Sequence, residues 1–214
     1  MPAAAAAALP GLKLLRHDRR LGHRFVAGAD EAGRGALAGP LVCAAVLFDH
    51  DLVRGHVACP LATLHDSKQL SAGERERLYP ALVAAATAFA VRIVPAAEID
   101  RVGLGRANVD GLSGCLELLA PQSEICLVDY FQLGPGAPPH ESLVHGDTKS
   151  AAIAAASVVA KVTRDRLMQR LDTVHPQCGF AAHVGYITKR HVAAVREHGY
   201  CPQHRRSFKV KFLP

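Results

Sequence analysis

The stretch FVAGADEAGRGALAGPLVCAAVLF, residues 25–48, decides how the rest of this chain is read. A short apolar run, Phe25 to Ala29, and an unbroken one, Leu41 to Phe48, flank a glycine-rich segment. Apolar runs of this length bounded by Gly and Pro read as buried strands, here joined as a hairpin. Asp30 and Glu31 stand side by side at the mouth of the first strand. Two acids in such a place are costly unless positive charge compensates them, and a divalent cation does so most directly.

Working outward, Ser71 followed by Glu74 forms a capping box that predicts a helix start, with Leu78, Leu82, Ala85 and Phe89 continuing one face. Phe89 to Val94 predicts a third strand closed by Pro95. A helix is expected over about 108–119, stopped by Pro121, and a short strand over 125–128 ends in Asp129. GPGAPP at 134–139 reads as a rigid loop. After Gly146-Asp147 an alanine-rich helix is expected over about 150–171, its small residues allowing close packing on a sheet. A last helix over about 186–198 ends at Gly199 in the C-cap position. Strands joined by tight turns, then strands separated by helices, indicate a mixed sheet in an α/β fold. Residues 21–214 read as one domain without repeat or linker. Residues 1–20 read as a poorly ordered extension, and the basic tail at 203–208 is expected to lie across the surface.

The 214 residues are 50% hydrophobic, enough for one sizeable core. No apolar run approaches the roughly 18–20 residues of a membrane span. The opening carries no basic residue before its apolar part, the reverse of a secretory signal. A cytoplasmic protein is expected, and a monomer is the favoured reading. The cysteines at 43, 59, 115, 126, 178 and 201 form no CxxC pair, which argues against a zinc ribbon or finger and for reduced thiols. Charge is unevenly placed: residues 1–160 hold 14 Lys/Arg and 16 Asp/Glu, and residues 161–214 hold 11 and 3. A basic end on a near-neutral body fits a polyanionic partner, and equally a solvated surface.

Four acids stand where strands or turns end: Asp30, Glu31, Asp129 and Asp147. Oxygen ligands without Cys or paired His point to a hard cation, Mg²⁺ or Mn²⁺. Two such ions about 4 Å apart can activate water and stabilise a leaving oxygen in phosphodiester cleavage. Asp129 and Asp147 could each instead be a cap or turn residue. Gly33-Arg34-Gly35 allows close backbone approach to a phosphate or a ribose hydroxyl, or makes a tight turn. A dinucleotide fingerprint beginning at Gly33 fails because Pro40 and a β-branched run follow where a helix is required. GDTKS at 146–150 lacks the upstream glycine of a phosphate-binding loop.

DEAGRG after an apolar strand resembles the signature of the type 2 ribonucleases H, bacterial ribonuclease HII. DSKQLS at 66–71, VDY at 128–130, HGD at 145–147, AASVVAKVTRD at 155–165, GFAAHVGY at 179–186 and EHGYCPQHRRSF at 197–208 extend the likeness over about residues 24–208. The resemblance implies a ribonuclease H-like fold, a mixed five-stranded sheet flanked by helices with a helical C-terminal region. It implies Asp30, Glu31, Asp129 and Asp147 as catalytic metal ligands. It implies that Gly33, Arg34, Gly35 and Tyr186 read the 2′-hydroxyl at an RNA–DNA junction, which is where RNA and DNA differ locally. Lys68 resembles a phosphate-contacting lysine of the family, and Lys161 and Arg164 read as further contacts to the nucleic-acid backbone; Lys161 could instead only stabilise the site, and Tyr186 could be a packing residue at a helix start.

The implied activity is Mg²⁺- or Mn²⁺-dependent endonucleolytic hydrolysis of the RNA strand of RNA–DNA hybrids. It includes cutting 5′ of single ribonucleotides embedded in duplex DNA, leaving 3′-hydroxyl and 5′-phosphate ends. The implied biological role is ribonucleotide excision repair and RNA primer removal. The alternative is a catalytically silent nucleic-acid-binding module of the same fold. The chain departs from many members at His145, where Lys is common, at Gly103, where Asn is common nearby, and at Cys178 and Val184, where Tyr and Lys are common. These changes bear on affinity and salt tolerance rather than on the reaction. No docking peptide for a sliding clamp or polymerase is legible after Phe208.

Overall fold

The structure, a computed structural model, describes residues 9–54, 60–211 and 213. Cys59 and residues 1–8 lie outside them. Among the described residues the chain forms a five-stranded mixed sheet of order β3-β2-β1-β4-β5. The strands are β1 (Phe25–Ala32), β2 (Leu41–Asp49), β3 (Ala88–Val94), β4 (Ile125–Asp129) and β5 (Glu141–Leu143). The first three are antiparallel neighbours, so residues 25–48 do form a hairpin. β4 and β5 add in parallel on the other side of β1.

Both faces of the sheet are covered, which is why β2 is apolar at successive positions rather than alternating. The helices are α1 (Pro10–Arg20), α2 (Ala72–Ala85), α3 (Ala96–Val102), α4 (Leu104–Leu119), α5 (Ala151–Val174), α6 (Phe180–His183) and α7 (Lys189–His198). Val26, Val42, Val46 and Phe48 pack with α5 on one face. Ala27, Leu41, Ala45 and Leu47 pack with Leu112, Cys115 and Leu116 of α4 on the other. Helix α5 presses so close on β1 that a Cβ at Gly28 would stand 2.3 Å from the backbone of Ala152. A glycine on the strand and the small Ala152 on the helix permit this approach.

Four expectations change. Half of the supposed N-terminal extension is the packed helix α1, with Leu14 and Leu15 in the core and Asp18 fully buried. The Asp18 carboxylate accepts from Ser150 Oγ at 3.1 Å and from the Ala152 N–H at 3.0 Å. It therefore caps the first turn of α5, where an anion is favoured by the free amides and the helix dipole. The tail at 203–208 does not lie across the surface, since His204 and Arg205 are buried. The helix expected from 108 begins at Leu104, preceded by α3, with Gly103 at φ 84° making the break between them. Finally, Tyr186 precedes the last helix rather than starting it, because Thr188 caps α7 by accepting from the His191 N–H. The capping box at Ser71 and Glu74 forms as the sequence predicts.

Candidate active site

Asp30 on β1, Asp129 at the end of β4 and Asp147 in the turn at 146–148 each offer a carboxylate oxygen, all within 4.8 Å of one another. The parallel pairing of β1 with β4 sets Ala29 beside Val128, so the acids that follow them emerge side by side. Asp147 is delivered by a turn entered through left-handed backbone at His145 (φ 56°). The Gly146 N–H donates to Asp129 Oδ1 at 2.7 Å and fastens that turn to the strand end.

Bringing these groups together is electrostatically unfavourable. Burial pushes the Asp30 carboxyl well up, and Glu31 and Asp129 add to the rise. Burial also raises Asp147, helped by Asp66 and then Asp129. The sequence reading passed over Asp66, which lies buried one turn from Lys68 and accepts that residue's N–H at 2.9 Å. Lys68 Nζ stands 3.7 Å from Asp147 Oδ2. Burial opposes the Lys68 charge, but Asp30, Asp66 and Asp147 outweigh it and raise the ammonium's pKa. One lysine does not balance the cluster. An all-oxygen donor set with excess negative charge fits a hard divalent cation.

Glu31 is not a member of the close cluster. It follows Asp30 on β1 and faces the same cleft, where its charge acts on Asp30. There burial pushes it up to about 7, with Arg34 pulling the other way. Its Oε2 is buried without a hydrogen-bond partner. Asn108 on α4 is fully buried beside it and favours the Glu31 charge. Three of the four expected acids thus stand in closest contact, and the fourth, Glu31, lines the same cleft beside them.

That cleft holds about 500 Å³ and runs from Asp30 past Gly33–Gly35 to Lys161 and Tyr186. Gly33 has φ 88°, and a Cβ there would collide with the Arg164 guanidinium. At Gly35 a Cβ would meet nothing, so the fold itself does not demand glycine there. Arg34 is exposed, its guanidinium 4.9 Å from the Phe131 ring.

Arg164 departs from expectation. It is fully buried, donating to the carbonyls of Pro40, Ala38 and Val184. It is a clamp between the glycine-rich loop and the segment leading to Tyr186, not a surface phosphate contact. Arg205, unmarked by the sequence reading, does the same from the tail, donating to Gly39 O and Arg34 O. Burial, then Arg164, lowers Arg205 to about 10. The Tyr186 ring lies 5.3 Å from the Arg164 guanidinium and 5.7 Å from Lys161 Nζ. Lys161 reaches the cleft wall while donating to Asp165 at 2.6 Å. Two buried guanidiniums without a carboxylate partner thus lie beneath the loop and the tyrosine, a positive floor for an anionic ligand.

The fold and the carboxylate centre together define a protein of the ribonuclease H type. A family model described as Ribonuclease HII matches residues 27–211. A ribonuclease HII of Salinispora arenicola is 49% identical over 195 residues, covering 91% of this chain and 71% of that protein. One of Geobacillus kaustophilus is 46% identical over 199 residues, covering 92% and 74%. Among solved structures, the ribonuclease H2 of Pyrococcus horikoshii superposes with a TM-score of 0.72 at 27% identity, covering 86% of this chain and 94% of that one. The ribonuclease HII of Archaeoglobus fulgidus, solved in complex with PCNA, has a TM-score of 0.68 at 28% identity, covering 87% and 96%. The chain belongs to the ribonuclease HII family, whose members are metal-dependent endoribonucleases.

Proposed function

We propose that this enzyme cuts 5′ of single ribonucleotides embedded in duplex DNA as well as the RNA strand of longer RNA–DNA hybrids, and leaves 3′-hydroxyl and 5′-phosphate ends. The observation that carries the reading is that the Asp30–Asp129–Asp147 cluster opens into the same cleft as Gly33–Gly35 and Tyr186. In this reading Asp30, Asp129 and Asp147, with Glu31 beside them, hold two Mg²⁺ or Mn²⁺ ions. When bound, such ions lower the pKa of an attacking water and stabilise charge on the leaving 3′-oxygen.

The chain's own residues bind and orient the substrate. The Gly33–Gly35 backbone at the cleft wall takes the 2′-hydroxyl, the group that separates RNA from DNA. The Tyr186 ring packs on the following deoxyribose. Arg164 and Arg205 hold both elements rigid by their carbonyl bonds, so orientation is built in before substrate arrives. Lys68 and Lys161 meet the flanking phosphates, and the basic chain end from residue 161 lends the sequence-independent attraction to the duplex. Removal of misincorporated ribonucleotides by a monomer in the cytoplasm is the role this chemistry suits. No helix among the described residues is long and apolar enough to cross a membrane.

The test is cleavage of three labelled duplexes: all-DNA, DNA with one ribonucleotide, and RNA–DNA hybrid, each with Mg²⁺, Mn²⁺ or chelator. The expected result is metal-dependent nicking 5′ of the single ribonucleotide and cutting of the hybrid, with the all-DNA duplex intact. Cleavage of the hybrid alone would overturn the single-ribonucleotide reading. Binding without cleavage under any metal would leave a silent binding module.

A further inference from the structure

Cys178, Cys201 and His204 are distant in sequence, and no spacing rule joins them, yet the fold brings them together. Cys178 lies in the turn at 176–178 that follows α5, and Cys201 and His204 lie in the tail after α7. All three are buried. Their sulfur and nitrogen atoms lie within 4.8 Å of one another. We propose that they form a site for a borderline-soft divalent cation of the zinc type, which fastens the segment carrying Tyr186 to the tail carrying Arg205. The proposal is independent of the reading of the carboxylate cleft.

Zinc–sulfur and zinc–nitrogen bonds of about 2.3 and 2.1 Å in a tetrahedron place donors roughly 3.5–3.8 Å apart. Closing this cluster on an ion therefore needs movement on the order of 1 Å by that measure. The ring nitrogens are already sorted for it. His191 Nδ1 faces the Tyr186 carbonyl at 2.9 Å and must donate to it. His191 Nε2 is then the acceptor in its 3.0 Å contact with His204 Nε2, which must carry the proton. That leaves the His204 lone pair on Nδ1, where it accepts from the Cys201 N–H at 3.0 Å. Nδ1 is thus the nitrogen able to coordinate, and it lies on the side of Cys201.

Coordination through Nδ1 would give up that one amide bond and keep the rest. The His204–His191–Tyr186 chain would then be the outer hydrogen-bond support that zinc-ligating histidines usually have. A carboxylate lies in the neighbourhood. Asp172 Oδ1 is buried without a hydrogen-bond partner, and Asp172 acts on both Cys178 and His183. It lies outside the group of three and adds negative charge near it, leaving the fourth position to water. Binding is ligand exchange without redox: the two thiols lose their protons to solvent as the two S–metal bonds form. The ion would compensate an environment that burial, with Cys201 adjoining, otherwise makes hostile to a thiolate, since Cys178 is pushed up to about 12.

The experiment uses the full chain, reduced and stripped with chelator, then titrated with Co²⁺ and afterwards with Zn²⁺. A thiolate-to-cobalt charge-transfer band saturating at one equivalent, and its loss on adding Zn²⁺, is expected. Co²⁺ held by the carboxylate cleft gives no such band, so the two sites are read apart. Cys178→Ser and Cys201→Ser should each weaken Co²⁺ binding at least about tenfold. Cys126→Ser, at a buried thiol beside Ser123, should leave it unchanged. Absence of the band in the wild-type chain would overturn the proposal even if the serine variants fail to fold. So would a band indifferent to Cys178→Ser, or an intact mass two hydrogens light showing a Cys178–Cys201 disulfide instead.

Discussion

Arg205 donates from Nη1 to the backbone carbonyl of Arg34 at 2.9 Å, joining residues at opposite ends of the chain. The same guanidinium donates to Gly39 O at 3.1 Å, and its ring neighbour is Phe208 at 5.2 Å. The tail is thereby the structural support of the loop that carries Gly33 to Gly35. Arg205→Met should leave two buried carbonyls unpaired and lower stability by about 2–4 kcal/mol. Urea unfolding measures this directly. Arg205→Lys should not recover the loss, because one ammonium cannot reproduce the planar fork.

Asp18 offers a second stability test, remote from the cleft. Asp18→Ala leaves the Ser150 N-cap of α5 in place but strands the Ser150 hydroxyl proton and the Ala152 N–H, which should cost about 1–2 kcal/mol. Cleavage measured at a temperature where both proteins stay folded should change less than twofold. A stability unchanged by the substitution would mean that α1 is an ornament on the fold rather than part of it.

Tyr186 separates recognition from attraction. Tyr186→Ala should reduce kcat/KM on the single-ribonucleotide duplex by about 10–100-fold, as loss of one positioning contact does. Affinity for all-DNA duplex should stay within about threefold, because phosphate contacts dominate there. Equal losses on both substrates would remove the residue's recognition role.

His50 gives the expected pH dependence. It is buried beside Asp18, its nearest approach 4.0 Å, and both ring nitrogens lack hydrogen bonds. Burial lowers its pKa below 6.5 despite Asp18. Below that ordinary value the unfolded chain binds a proton that the folded chain resists, so stability falls as pH drops and is whole above it. His50→Gln should flatten the decline between pH 6.5 and 5 by up to about 1.4 kcal/mol per pH unit. Unfolding midpoints across that range would show it, and an unaltered slope would refute it.

Much of this molecule can be read from local pattern. Residues 25–48 announce a buried hairpin because their apolar runs are of strand length, and Ser71 with Glu74 announces a helix start by a rule of three residues. Asp129 and Asp147 are legible as acids at the ends of elements. What stays hidden depends on contacts across the chain. Nothing near Asp18 reveals that its partner is the first turn of α5, 132 residues on. Arg164 and Arg205 look like surface cations, since basic side chains are seldom fully buried. Only the packing shows them turned inward to backbone carbonyls. Glu31, by contrast, is legible with Asp30 at the end of β1, and the two line one cleft. Cys178, Cys201 and His204 evade any spacing rule because a helix, a turn and the tail bring them together.

The central claim is that Asp30, Asp129 and Asp147 are crowded for the sake of a cation, and one comparison addresses it most directly. It is the unfolding midpoint of wild-type and Asp30→Asn protein, each measured with chelator and with saturating Mn²⁺ at pH 8. Buried like charges are repulsive without the ion, and a ligand bound only by the native state stabilises it. Asp30→Asn should therefore be the more stable protein in chelator and gain markedly less from Mn²⁺ than the wild type. An Asp30→Asn protein that is no more stable in chelator, and that gains as much from Mn²⁺ as the wild type, would contradict the account.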